Sequence, residues 1–153
     1  MDDFESGFRA AAELIADADA LIIAAGAGMG VDSGLPDFRG NKGFWSADPA
    51  LAKANLNFAE FASFLTFEHD PSLAWSFYGH RLDLYCRTIP HVRFKLLRKW
   101  GESMLFGARV FTSNVDGQFK KAGFAEDQIH ECHCSIHEVD ERMRFYCLEG
   151  GCV

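Results

Sequence analysis

Leu21-Ile22-Ile23-Ala24-Ala25-Gly26-Ala27-Gly28-Met29-Gly30 is the stretch on which the reading of the fold turns. Five apolar residues in a row suit a strand buried on both faces. The run ends directly in glycines at alternate positions. Gly26, Gly28 and Gly30 let the backbone approach a ligand closely and leave amides pointing at it. Upstream, Phe4, Phe8, Ala11, Ala12 and Ile15 recur at helical spacing and predict an amphipathic helix over residues 3–17. Helix, buried strand and glycine turn in that order open a nucleotide-binding α/β domain. The turn alone is a weak signal. The full G-x-G-x-x-G spacing is absent, no acidic residue is cleanly placed for a ribose, and a tight strand-to-helix connection that binds nothing fits as well.

Further along, residues 35–49 have no clear period and read as a long loop, a feature that is usually functional in a compact domain. Residues 50–66 read as helical. Pro71 opens a longer helix with Ala74, Phe77, Tyr78, Leu82 and Tyr85 on one face. Pro90 starts another, running to about Trp100. Residues 108–112 read as a second buried strand and 128–132 as a third. Between them, Asp116 to Ala122 reads as a short helix closed by Gly123. Residues 133–153 are rich in Cys, His and acidic residues and have no clear period. The expected class is α/β, a Rossmann-like parallel sheet flanked by helices.

Bulk properties narrow the function. A chain of 153 residues fits one domain, and 48% hydrophobic with 24% charged residues is ordinary for a folded protein. The net charge of -7 argues against nucleic-acid binding, which needs a basic face. Ala18 to Val31 is too short and Gly-rich to span a membrane, and the acidic start Met1-Asp2-Asp3-Phe4-Glu5 is unlike an export signal. The five cysteines, an odd number, then read as reduced cytoplasmic thiols or metal ligands. Fifteen Phe must mostly be buried.

Gly34-Leu35-Pro36-Asp37-Phe38-Arg39-Gly40 follows the glycine turn and sets a rigid Pro, an acid, a ring and a base in consecutive positions. With residues 26–33 it resembles the sirtuin signature "GAG(I/A)S…SGIPDFR". Gly43-Phe44-Trp45 is similar to the Gly-aromatic-Trp that follows in that family. Thr112-Ser113-Asn114-Val115-Asp116 resembles "TQN(I/V)D", and Ile129-His130-Glu131-Cys132-His133-Cys134-Ser135 resembles "(I/V)xExHGS". The resemblance covers residues 7 to 136 in family order.

The resemblance implies an NAD-dependent protein-lysine deacetylase or deacylase that releases nicotinamide and O-acyl-ADP-ribose. It implies a Rossmann-type part over 1–136, incomplete relative to a full sirtuin core, and a remnant of a zinc-binding module over 137–153. Gly26, Ala27 and Gly28 would lie against the NAD diphosphate. Asp37, Phe38 and Arg39 would form the cofactor loop, with Phe38 shielding the reacting ribose. Ser113 stands at a ribose-facing position, Asn114 would orient the ribose and a water, and Asp116 would hold the nicotinamide carboxamide. His133 would be the general base.

Elementary chemistry agrees. A neutral imidazole accepts a proton at cellular pH. An amide offers a donor and acceptors without charge. A buried carboxylate accepts an amide N–H. Without the family context, Asn114 and Asp116 would read as a helix cap after a strand.

Some positions depart from the family pattern. Gly30 stands for a common Ser, Ser113 for Gln, Phe94 for a frequent His, and Cys134 for the Gly after the catalytic His. A Gly there implies positive φ or close approach of a ligand. Zinc would draw on Cys147 and Cys152, and two thiolates do not complete a tetrahedral site. Cys132, His133, Cys134, His130 and His137 look metal-like by composition, but strand alternation would set Cys132 and Cys134 opposite His133. Sirtuin cores are longer than this chain, so a sheet of about three strands with one uncovered face is expected, with self-association as a way to cover it. The second functional expectation is a catalytically impaired NAD- or ADP-ribose-binding protein. The implied partner is an acyl-lysine protein or peptide, with no nucleic acid and no membrane.

Overall fold

A computed structural model of the chain describes residues 2–37 and 64–137. Its elements run α1 (Asp2–Ala16), β1 (Leu21–Ala25), a 3-10 helix (Ala27–Ser33), α2 (Phe64–His69), α3 (Pro71–Arg87), α4 (Val92–Glu102), β2 (Ala108–Thr112), α5 (Gln118–Lys121), a 3-10 turn (Glu126–Gln128) and β3 (Ile129–Glu131). The three strands form a parallel sheet in the order β1-β2-β3. Ala25 pairs with Thr112 and Thr112 with Glu131, so the strands end level with one another.

The helices begin where the sequence supplies caps. Asp70 Oδ1 accepts the Leu73 amide at 2.9 Å, and Pro71 sits in the first turn of α3. His91 Nδ1 accepts the Arg93 amide at 3.2 Å at the start of α4, so this His is a capping group. At the other end of α3, Lys121 Nζ donates to the carbonyls of Tyr85, Cys86 and Thr88. A cation there also complements the helix dipole.

The core lies on one face of the sheet. Ile23, Ala108 and Val110 meet Phe94, Phe119, Ala122 and Phe124. Phe94 is 0% exposed and meets Phe119 edge-on at 4.8 Å between ring centroids. A second cluster joins Leu35, Tyr85 and Ile136.

Several expectations from sequence need correction. Strand β1 is not buried on both faces: Ile22 is 80% exposed, and on β2 Phe111 is 52% exposed. The described residues cover one sheet face only, as a three-stranded sheet implies. Phe111 stacks instead on His130 of β3 at 5.2 Å. Helix α1 forms, but Phe4 and Phe8 on it are exposed. The glycine turn leads into a 3-10 helix rather than an α-helix. Strand β3 stops at Glu131, so the side-to-side alternation expected for residues 132–134 does not apply. No helix among the described residues is long and apolar enough to cross a membrane.

Candidate functional site

Each strand of a parallel sheet points its carbonyl end at the same edge, and ligands of open α/β sheets bind there. The register sets three expected site residues on that edge. Ala27 lies two residues beyond Ala25, Asn114 two beyond Thr112, and His133 two beyond Glu131.

The loop after β2 is tied to the loop after β1. Thr112 Oγ1 donates to Ala25 O at 3.1 Å and accepts the Asn114 amide at 3.1 Å. Asn114 Nδ2 donates to Gly26 O at 3.0 Å, and the Ser113 amide donates to Ala25 O at 3.2 Å. Asn114 is buried, whereas the Ser113 side chain is exposed. Ala27 and Gly26 are half-buried and Gly28 is exposed. A Cβ built on Gly28 meets nothing within 4 Å, so the space beside that backbone is open. Gly34 ends the 3-10 helix at φ 88, and Asp37 is half-buried.

Asp116 is buried, and Oδ1 accepts the Gln118 amide at 3.0 Å at the start of α5. The N-cap of α5 is Gly117, so Asp116 stands one residue before the cap rather than at it as expected, and holds the first helical amide with one oxygen only. The other, Oδ2, faces Gly30, 3.5 Å from where a Cβ would stand. Burial pushes the Asp116 pKa up, against the Gln118 amide, Arg81 and His137, which pull it down. His137 Nε2 donates to Asp116 O at 3.0 Å, and its ring fills the space over Gly117, whose φ is 64. The sequence did not single out His137 for this role. Arg81, whose Nε donates to the Tyr85 hydroxyl at 2.6 Å, was missed too.

His133 and its neighbours Cys132 and Cys134 are exposed. The Cys132 amide still donates to Thr112 O at 3.0 Å, then the chain turns, with the Cys134 amide donating to Glu131 O at 3.3 Å. Cys134 has φ 64, the only positive φ at a non-Gly residue among those described. The position therefore does require the conformation that a Gly adopts freely. Phe94, at the frequent His position, is a core residue.

Phe38, Arg39, Cys147 and Cys152 lie outside the described residues. Among the described residues no group of three His, Cys, Asp or Glu side chains could hold a metal ion. The metal-like composition of residues 130–137 is thus not a cluster in space.

Residues 26–144 match the Sir2 family. This chain belongs to that family. It is 34% identical over 129 residues to an NAD-dependent protein deacylase of Thermococcus kodakarensis, covering 84% of this chain and 46% of the relative. An NAD-dependent protein deacylase of Candida albicans is 32% identical over 120 residues, covering 78% and 37% respectively. Among solved structures, a Sir2 homologue in complex with NAD superposes with a TM-score of 0.64 at 26% identity, over 80% of this chain and 44% of that one. The chain spans about half or less of the length of these relatives.

Proposed function

We propose that this chain carries the NAD-binding and catalytic half of a protein-lysine deacylase. The products would be nicotinamide and O-acyl-ADP-ribose. The observation that carries the reading is the level alignment of Ala27, Asn114 and His133 beyond the register-paired strand ends. Residues 1–136 form the Rossmann-type part in this reading, and residues 137–153 a remnant of a zinc-binding module.

The open space beside Gly28 suits a diphosphate, and the buried pair Asn114 and Asp116 suits an uncharged amide and ribose. NAD, when bound, supplies the leaving nicotinamide and the ribose carbon that takes the acyl oxygen of an acyl-lysine. This chain's residues do the rest. Gly26, Ala27 and Gly28 receive the diphosphate. Asn114 orients the ribose and a water, with Ser113 beside it. Asp116 Oδ2 accepts an N–H of the carboxamide. By the family resemblance, Asp37, Phe38 and Arg39 would form the cofactor loop, with Phe38 shielding the reacting ribose. Exposed His133 takes the proton of a ribose hydroxyl. The named relatives support this, as they are NAD-dependent deacylases.

A zinc site would draw on Cys147 and Cys152. Two thiolates do not complete a tetrahedral site, and among the described residues no group of three His, Cys, Asp or Glu side chains could hold a metal ion. Self-association would use the uncovered face at Ile22 and Phe111. A cytoplasmic location belongs to the same reading.

The test is nicotinamide release from NAD and an acetyl-lysine peptide by the chain and by its His133→Ala variant. The reading expects release by the former and at least about a hundredfold less by the latter. Equal release by both overturns it. One observation favours a second reading, an NAD- or ADP-ribose-binding protein with impaired catalysis: Cys134 puts a side chain where the family has Gly. Binding without turnover would support that one.

A further inference from the structure

A thiol and an imidazole meet beside the strand-end cluster, and neither has a part in the function proposed above. Cys86, in the last turn of α3, is exposed and in no disulfide. Its Sγ lies 4.0 Å from Nδ1 of His137, which is 51 residues further along the chain. The ring's other nitrogen, Nε2, is 3.0 Å from Asp116 O. A carbonyl can only accept, so Nε2 carries the hydrogen in the neutral ring. Nδ1 is left with its lone pair toward the sulfur. The ring is also held in place: its Cδ2 and Nε2 lie 2.7 and 2.8 Å from where a Cβ on Gly117 would stand. Nucleophile, base and a third group that orients the base are thus in sequence, the arrangement that activates a cysteine.

We propose that Cys86 and His137 form an activated thiol site that reacts with small-molecule disulfides of the glutathione disulfide class. His137 Nδ1 takes the thiol proton as the sulfur attacks. A new S–S bond forms between Cys86 Sγ and one sulfur of the reagent. The reagent's own S–S bond breaks, and its second sulfur leaves as a thiolate that takes up the proton. Cys86 is oxidised and the leaving half of the reagent is reduced, so no further oxidant is needed. The bulky adduct then competes for the space of the His137 ring, which carries the hydrogen bond to Asp116.

The test is the rate of mixed-disulfide formation with glutathione disulfide at one fixed pH, read for each cysteine by peptide mass spectrometry. Exposed Cys132 and Cys134 serve as comparators in the same chain. The site predicts that Cys86 reacts fastest of the three. His137→Leu should slow it at least about tenfold, the scale of a lost general base, and leave the other two rates unchanged. A Cys86 rate no higher than theirs, or one that His137→Leu leaves alone, overturns the proposal. If the variant does not fold, the wild-type chain still decides. Cys86 should react faster in the folded chain than in the same chain in urea; an equal or slower rate in the fold overturns it.

Discussion

Asn114 Nδ2 donates to Gly26 O across 3.0 Å, so a side chain from the loop after β2 holds the backbone of the glycine turn after β1. Asn114→Ala leaves that carbonyl without its partner in a half-buried place. The expected loss of stability is about 1–2 kcal/mol, the cost of an unmet acceptor. Urea denaturation measures it, and an unchanged midpoint contradicts the tie.

Asp116 gives a pH dependence of definite sign. Burial raises its pKa in the fold, so the folded state holds the proton more tightly than the unfolded chain. That contribution to stability is complete below the ordinary Asp value and is lost as pH rises through the raised one. Asp116→Asn removes the titration and keeps an acceptor for the Gln118 amide. The variant should lose less stability than the wild type as pH rises above the ordinary Asp range of about 4. Denaturation curves at several pH values check this. An equal or steeper decline in the variant contradicts it.

Cys134 occupies a conformation with φ 64. A side chain there costs about 1–2 kcal/mol, part of which Gly recovers at the expense of a more flexible unfolded chain. Cys134→Gly should therefore stabilise the fold by roughly 0.5–1 kcal/mol. If the second functional reading holds, the same change should also raise nicotinamide release.

Two glycines should behave oppositely on substitution. A Cβ on Gly101 would overlap the Ala108 side chain on β2, and Gly101→Ala should cost about 1–3 kcal/mol. A Cβ on Gly28 meets nothing within 4 Å, so Gly28→Ala should shift stability by no more than about 0.5 kcal/mol. Parallel thermal melts compare them, and a large loss for Gly28→Ala contradicts the open space assigned beside it.

The strands were legible because each short run abuts a glycine, Gly26 after β1 and Gly107 before β2, and they fall at residues 21–25 and 108–112 as read. Helices α3 and α4 were legible through Pro71, Pro90 and the apolar spacing behind them. Which sheet face the described residues leave exposed was not legible from β1 itself. Ile22 is as apolar as Ile23, and only the partners available decide which side is covered. The site's chemistry was readable where it sits in motifs, at Asn114, Asp116 and His133. His137 was not, because its role depends on a ring reaching back over Gly117 to Asp116 O, a contact that no local spacing encodes. The same holds for Cys86, brought to that ring from a helix 51 residues earlier.

In the proposed function the ends of β1 and β2 hold NAD. Isothermal titration of NAD into the chain and into Gly28→Ala, a change the fold should not feel, tests it most directly. Saturable binding by the wild type and at least about tenfold weaker binding by the variant are expected, since the added Cβ enters the diphosphate's space. No binding by the wild type, or equal affinity in a folded Gly28→Ala variant, would contradict it.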